Sequence, residues 1–419
     1  MADIRPFRAL RPAADKAKGI ASLPYDVMDR EEARAAIKKQ PLSFLRVTRP
    51  DAAFPDAIGQ YDGAVYEEAA SVFQEYQADG LLRTEAEPCF YIYRQRMDGR
   101  EQTGLVAAAS VEEYRAGATK KHELTRPDKE GDRVRHIKCL AAQTGAVFLS
   151  YKRAPAAELL IAEIVGRTRP DYDFVADDGI GHIFYTVSAP ADIEALRRVF
   201  APIGPLYIAD GHHRCAAALR VADMARANNP KHTGSEEYNY FLAAIFPDDM
   251  TRILEYNRAV KDLNGLTAAE FLAKAGDNFL VQTIASPAKP SARHEFTMCL
   301  EGKWYKLTAR GGTFDEKDLS GRLDVSILQD NLLRPVLGIL DPRADQRIEF
   351  IGGIRGVSAL SELVAAGKAA VAFCLYPTSM QELMAVADAG KIMPPKSTWF
   401  EPKLRDGLAV HLLEEDFLK

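Results

Sequence analysis

The chain has 419 residues, 47% of them hydrophobic, with a net charge of −5 and an isoelectric point near 6.0. That is apolar content enough for one elaborated domain or two, and the acidic balance supplies no global basic field for nucleic acid or an anionic membrane. Five dispersed cysteines without a CxxC pair, no apolar leader, and no apolar run near the roughly eighteen residues of a membrane span predict a cytoplasmic protein with reduced thiols.

Residues 1–28 read as an irregular, proline-punctuated entry containing Ser22-Leu23-Pro24-Tyr25-Asp26-Val27. Asp26 sits there on a short constrained loop, either as a turn-forming residue or as a catalytic carboxylate. A helix follows over 29–39, where Asp29 precedes Glu32 by the spacing of a capping box and Pro41 ends the run. Residues 43–48 predict a short strand stopped by Pro50, 61–77 an amphipathic helix ending near Gly80, and 89–97 with 102–111 a hairpin turning at Asp98-Gly99.

The stretch 120–133 has one aliphatic side chain, Leu124. It is either a solvated loop or a mobile binding loop whose Lys121, His122, Arg126 and Arg133 face an anion. A helix over 132–143 and a strand over 146–151 come next, then helix, strand and helix over 156–200. His182 falls on or beside that strand, where a lone histidine reads as structural.

The densest chemistry lies at 205–219. An apolar run, Leu206-Tyr207-Ile208-Ala209, predicts a buried strand, and the Ala- and Leu-rich residues from Cys215 predict a helix. Between them stand Asp210-Gly211-His212-His213-Arg214. The first N–H groups of a helix lack partners and favour an anion, and Gly211 has no side chain to block one. Arg214 is suited to hold phosphate oxygens, Asp210 to hold a cation or accept a proton, and His212 and His213 to exchange protons near neutral pH. Singly, each has a plainer role, Asp210 as an N-cap and the histidines as solvated first-turn groups. Together at a strand end they point to a phosphate site.

Beyond the motif, strands are predicted over 238–245 and 249–257 and a helix over 266–275. The Pro-, Ser- and Ala-rich stretch 287–293 reads as a linker, dividing a catalytic region, 1–286, from a C-terminal region, 287–419. A hairpin around Glu301-Gly302, helices over 325–333, 358–366 and 379–387, and strands over 347–351 and 370–375 complete the pattern. Hairpins mixed with helix-flanked strands argue α+β with mixed sheets. The tail Met393-Pro394-Pro395-Lys396-Ser397-Thr398-Trp399-Phe400-Glu401-Pro402-Lys403 is either an anion-contacting loop, through Lys396, Ser397 and Thr398, or a proline-stiffened strand anchored by Trp399 and Phe400.

Leu23 to Val27, Ser43 to Val47, Lys121-His122-Glu123 with Thr125-Arg126, Ile208 to Arg214, and Met393 to Lys403 together resemble domain-of-unknown-function family 1015, over essentially the whole chain. Its Asp-Gly-His-His-Arg motif is similar to that of free serine kinases in the ParB, sulfiredoxin and serine-kinase superfamily. The resemblance implies a ParB/sulfiredoxin-like nucleotide-handling core elaborated by further α/β segments, ATP or ADP with Mg²⁺, and a small hydroxyl or phosphorylated amino acid as substrate. It implies that Asp210, Gly211, His212, His213 and Arg214 lie at the phosphates and that Asp26 is the acidic residue acting on serine. An association with serine biosynthesis implies phosphoserine as a substrate.

Phosphoryl transfer with serine or phosphoserine is the leading expectation, with Mg²⁺ at Asp210 and Asp26 or a motif histidine handling the proton. The absence of a GxxxxGK[ST] loop excludes a Walker-type kinase. A phosphoserine phosphatase using His212 or His213 is the alternative. A ParB-like module that binds nucleotide or DNA without catalysis is the third reading, against which the acidic charge argues. His122, His212 and His213 are a weak zinc signal by spacing, so no zinc is expected. The Asp26 loop, the 122–133 loop and the 396–403 tail are expected to meet the Asp210 turn in one pocket.

Overall fold

The structure, a computed structural model, describes residues 2–418. It has two compact units with mixed α+β architecture: Met1–Thr251 with Pro402–Lys419, and Arg252–Glu401.

In the first unit a mixed sheet runs in the order Thr119–Lys120, Leu206–Asp210, Val147–Tyr151, Tyr240–Pro247, Arg100–Ser110, Phe90–Met97, Gly181–Val187 and Tyr172–Val175. Ile4–Arg5 also pairs with Arg100–Ser110. Val147–Tyr151 and Tyr240–Pro247 are buried at almost every position, the pattern of strands covered on both faces. The core joins Leu149, Ile208, Val221, Phe241 and Ile245, while the helices Pro127–Leu140 and His212–Asn228 pack on one another. Each large apolar side chain taken from water contributes about 1.5–3 kcal/mol, against about 0–1 for an exposed ion pair. This core therefore outweighs surface pairs such as Arg115–Asp223.

A smaller antiparallel sheet, Leu82–Thr84, Ala9–Pro12, Val410–Leu412 and Ala142–Gln143, ties residues beyond 401 to the start of the chain. Ser22 and Asp406 exchange backbone hydrogen bonds beside it, N–H to O=C, at 3.1 and 2.9 Å. The second unit holds a six-stranded antiparallel sheet in the order Phe279–Ile284, Lys303–Ala309, Glu295–Leu300, Val371–Leu375, Tyr256–Val260 and Ile348–Gly352. Residues 287–293 connect two strands inside that unit rather than separating units, which divide after Thr251 and Glu401 instead.

Turn and cap chemistry predicted well. Asp29 and Glu32 form both halves of the capping box, and the two hairpins turn through positive φ at Asp98 and Gly99, 52° and 73°, and at Glu301 and Gly302, 49° and 75°. The strand expected at 43–48 is instead the helical turn Leu45–Thr48 followed by the 3₁₀ turn Pro50–Ala53. Local hydrogen bonds compete with a ladder there: the Leu45 N–H donates to Ser43 Oγ and the Thr48 hydroxyl to the Phe44 carbonyl. The helix expected from 132 starts at Pro127, proline being favoured in a first turn. Half of the polar stretch is therefore helix.

Both tryptophans, Trp304 and Trp399, belong to the second unit, so amide exchange reports the first. Ile208→Ala, at a position sealed from solvent, is expected to destabilise the first unit by roughly 2–5 kcal/mol and to speed exchange across Leu206–Asp210. Leu159→Ala, at a side chain 71% exposed, should leave it near wild type.

Candidate active site

The strand Leu206–Asp210 lies between a parallel neighbour, Thr119–Lys120, and an antiparallel one, Val147–Tyr151. Its pairing slips between Ile208 and Asp210, a bulge that turns the last side chain out of the regular pleat. Asp210 is half-buried, and Lys403 Nζ donates to its Oδ2 at 3.2 Å. Burial favours the neutral acid, but Lys403 and then Arg214 overcome it and hold the carboxyl far below the usual range.

Gly211 caps the helix His212–Asn228 with φ 101°, ψ 28°. A Cβ there would lie 2.9 Å from Arg214 Nε, so the position needs glycine for its backbone and for the guanidinium folded against it. Arg214 points inward. Its Nη1 donates to the Ala146 carbonyl, and Nη2 is 3.8 Å from Asp210 Oδ1. Burial opposes its charge, and Asp210, Asp26 and Asp406 more than offset that. A Cβ on Gly145 would fall 2.9 Å from Asp406 Oδ1 and 3.4 Å from Arg214 Nη1, so this glycine makes room for the pair. The guanidinium expected to grip phosphate donates to the Ala146 carbonyl and lies beside the Asp210 carboxylate.

Asp406 is buried, and its Oδ1 has no hydrogen-bond partner. Burial pushes its carboxyl up to about 7, with Arg214 and Arg133 opposing and Asp26 and Asp210 reinforcing the rise. Asp26 is exposed at the rim. Its loop is held from below, since the Arg133 guanidinium lies 3.8 Å over the Tyr25 ring and Arg49 Nη1 donates to the Tyr25 carbonyl at 3.1 Å. Arg133 in turn makes two bonds to Asp132 Oδ2, 2.8 and 2.6 Å, and Tyr66 donates to Asp132 Oδ1 at 2.7 Å. Tyr25, Arg133, His136, Gly145, Arg214 and Asp406 line one cavity.

His122 and His212 are buried against each other, ring centroids 4.5 Å apart and planes at 89°. The His122 N–H donates to His212 Nε2 at 3.5 Å. Burial pushes His122 down to about 4, the Ile208 carbonyl and Asp210 offsetting it in part, and burial with the neighbouring His122 drives His212 well below its ordinary value. Both are neutral imidazoles at physiological pH. His213 is half-buried and its Nε2 accepts the Arg126 N–H at 3.1 Å. The Arg126 side chain is exposed and paired with Asp128, so it meets the motif through its backbone. Lys121 is exposed, close enough for its charge to act on His212.

A family model described as a protein of unknown function (DUF1015) matches residues 4–326. The chain belongs to that family. No curated protein matches this DUF1015 chain. Similar solved structures include a free serine kinase variant in complex with AMP, 13% identical, covering 75% of this chain and 94% of that one at a TM-score of 0.39. A conserved hypothetical protein from Pyrococcus furiosus is 12% identical over 74% and 95%, at 0.36. SbnI from Staphylococcus aureus, truncated at its C-terminus, is 11% identical over 73% and 87%, at 0.38.

In this DUF1015 member the first unit gathers Asp26, Lys121, His122, Asp210, Gly211, His212, His213, Arg214 and Lys403 at one strand end. Lys396, Ser397 and Thr398 belong to the second unit. There Lys396 Nζ lies 5.5 Å from the Tyr256 ring centroid, Ser397 Oγ donates to the Pro394 carbonyl at 2.6 Å, and Trp399–Glu401 forms a strand with Arg252–Leu254. His182 is structural as expected: Nδ1 is 2.7 Å from the Tyr93 hydroxyl and Nε2 accepts from Arg405 at 3.2 Å. Sequence reasoning missed Asp406, whose only local signal is the Asp406-Gly407 turn pair, and Gly145, which follows Thr144 with no motif around it. Among the described residues no helix is long and apolar enough to cross a membrane.

Four imidazoles of this unit, His122, His136, His182 and His212, have depressed values, the first two about 4 and His182 about 2. The unfolded chain protonates each near pH 6.5 and so binds more protons below it, which makes stability fall as pH drops from about 6.5 toward 4. Asp406 acts oppositely: folding retains its proton up to about pH 7, and that contribution is lost as pH rises from about 4 to 7. Four imidazoles outweigh one carboxyl. Exchange across Leu206–Asp210 corrected for intrinsic rate is expected to show lower stability at pH 5 than at pH 7, and Asp406→Asn to be more stable than wild type at pH 7 with the gain fading toward pH 4.

Proposed function

We propose that the first unit transfers a phosphoryl group between a nucleotide, ATP or ADP, and serine or phosphoserine. The observation that carries this reading is a 17-residue helix's N-terminus whose buried Arg214 feels the charges of Asp210, itself paired with Lys403, and of Asp26, with Lys121 acting on His212 in the helix's first turn. Phosphoryl transfer asks mainly for positioning and charge neutralisation. The N–H groups that open the helix, aided by its dipole, receive phosphate oxygens, and Lys403 and Lys121 balance their charge.

Arg214 acts from beneath by holding the carboxylates, rather than by gripping the substrate. Asp26, exposed beside the buried cluster, takes the proton from the serine hydroxyl. Asp210 offers only oxygen donors, which suits Mg²⁺, and the ion would neutralise charge on the transferred group. Asp210 would hold such an ion in place of its present contact with Lys403, whose ammonium would then be available to a phosphate.

The test is incubation of the full chain with Mg²⁺ and serine plus ATP or ADP, or phosphoserine plus ADP or AMP, followed by ³¹P NMR. Transfer in one direction is expected, with Asp210→Asn lowering kcat on the order of 10²–10³-fold, the usual loss for a charge-stabilising group. Phosphate release from phosphoserine without nucleotide would favour the phosphatase. Absence of transfer in either direction would overturn the assignment.

A further inference from the structure

The phosphoryl-transfer reading leaves one set of side chains with no task. His122 and Glu123, from the loop before Pro127–Leu140, stand against His212 on the first turn of the motif helix, and one donor atom from each lies within 4.8 Å of the others. His122 is 2% exposed, yet among the described residues neither ring nitrogen makes a hydrogen bond of ordinary geometry, the Ile208 carbonyl acting on the ring without one. An orphaned buried polar group costs about 1–3 kcal/mol, so an imidazole kept in that state calls for something that takes its lone pair. His212 already presents Nε2 toward the His122 backbone, in a bond so long, 3.5 Å, that a stronger Lewis acid displaces it at little cost.

We propose that His122, Glu123 and His212 bind a divalent transition-metal ion of the zinc type. Two imidazoles and one carboxylate are borderline ligands that suit zinc and its neighbours, whereas Mg²⁺ prefers oxygen alone. In a tetrahedral site with bonds of about 2.1 Å the donors stand roughly 3.4 Å apart. The widest pair, within 4.8 Å, closes by about 1.4 Å at most, a side-chain rotation. Three protein ligands leave a fourth position for water or a substrate oxygen. The spacing of the histidines in sequence gave only a weak zinc signal because the third ligand, Glu123, and its neighbour His122 arrive from 90 residues away.

This site stands or falls separately from phosphoryl transfer, because Asp210 is not among its ligands. The full chain, stripped with a chelator and dialysed, is titrated with Zn²⁺ by calorimetry and with Co²⁺ by visible absorption. The expected result is one equivalent bound, with the intense absorption of four-coordinate Co²⁺. His122→Ala and Glu123→Gln should weaken binding by at least about tenfold, while Asp210→Asn binds as wild type. Absence of stoichiometric binding, undiminished binding in both His122→Ala and Glu123→Gln, or loss of binding in Asp210→Asn would overturn the proposal. Exchange across Leu206–Asp210 verifies the fold of each variant. Should His122→Ala not fold, Glu123→Gln, at a half-buried position, decides alone.

Discussion

A guanidinium removed from water is tolerable only where carboxylates and carbonyls surround it, and the strand end of the first unit is built to that requirement. Arg214 lies beneath its own turn. Gly211 and Gly145 lack side chains where Arg214 and Asp406 need the space, the bulge after Ile208 aims Asp210 at it, and the segment after Glu401 brings Asp406 beside it. Three acidic side chains, Asp210, Asp26 and Asp406, act on this one cation, and they do not do so equally. Asp210, which also has Lys403, is ionised throughout the physiological range, while Asp406, with burial prevailing, holds a proton up to about pH 7. Environments that push like groups apart in this way supply a charged and a neutral acid side by side.

Much of this was legible in the sequence where the signal is local. Asp98-Gly99 and Glu301-Gly302 announce their hairpins through the backbone conformations those residues tolerate, and Asp29 with Glu32 announces a helix start. The Asp210 turn was legible because five reactive side chains follow a short apolar run. What the sequence hides is the inward or outward sense of each residue. Residues 43–48 are apolar on more than one side and so carry no period. Arg214 reads as a phosphate ligand until Gly145 and Asp406, 69 and 192 residues distant by number, are found on its far side.

The polar stretch 120–133 shows the same limit from the other direction. It reads as a solvated loop or as a mobile anion-binding one, yet His122, Asp132 and Arg133 are buried within it. Arg133 is sealed between Asp132 and the Tyr25 ring, a double role as ion-pair partner and as aromatic cover that composition does not reveal. The 393–403 tail reads as one continuous stretch, either an anion-contacting loop or a proline-stiffened strand, whereas the boundary after Glu401 assigns Lys396, Ser397 and Thr398 to one unit and Lys403 to the other.

That boundary bears on how the protein is made. The first unit is interrupted in the chain by the whole of Arg252–Glu401, and it recovers Lys403, Asp406 and the strand Val410–Leu412 only afterwards. At translation rates of about 5–20 residues per second, the interruption separates Arg214 from Asp406 by roughly 10–40 s. Until that interval has passed, the chain has neither Asp406 to set beside Arg214 nor the strand Val410–Leu412 to complete the small sheet. The ribosome thus releases a competent strand end only after the second unit has been synthesised.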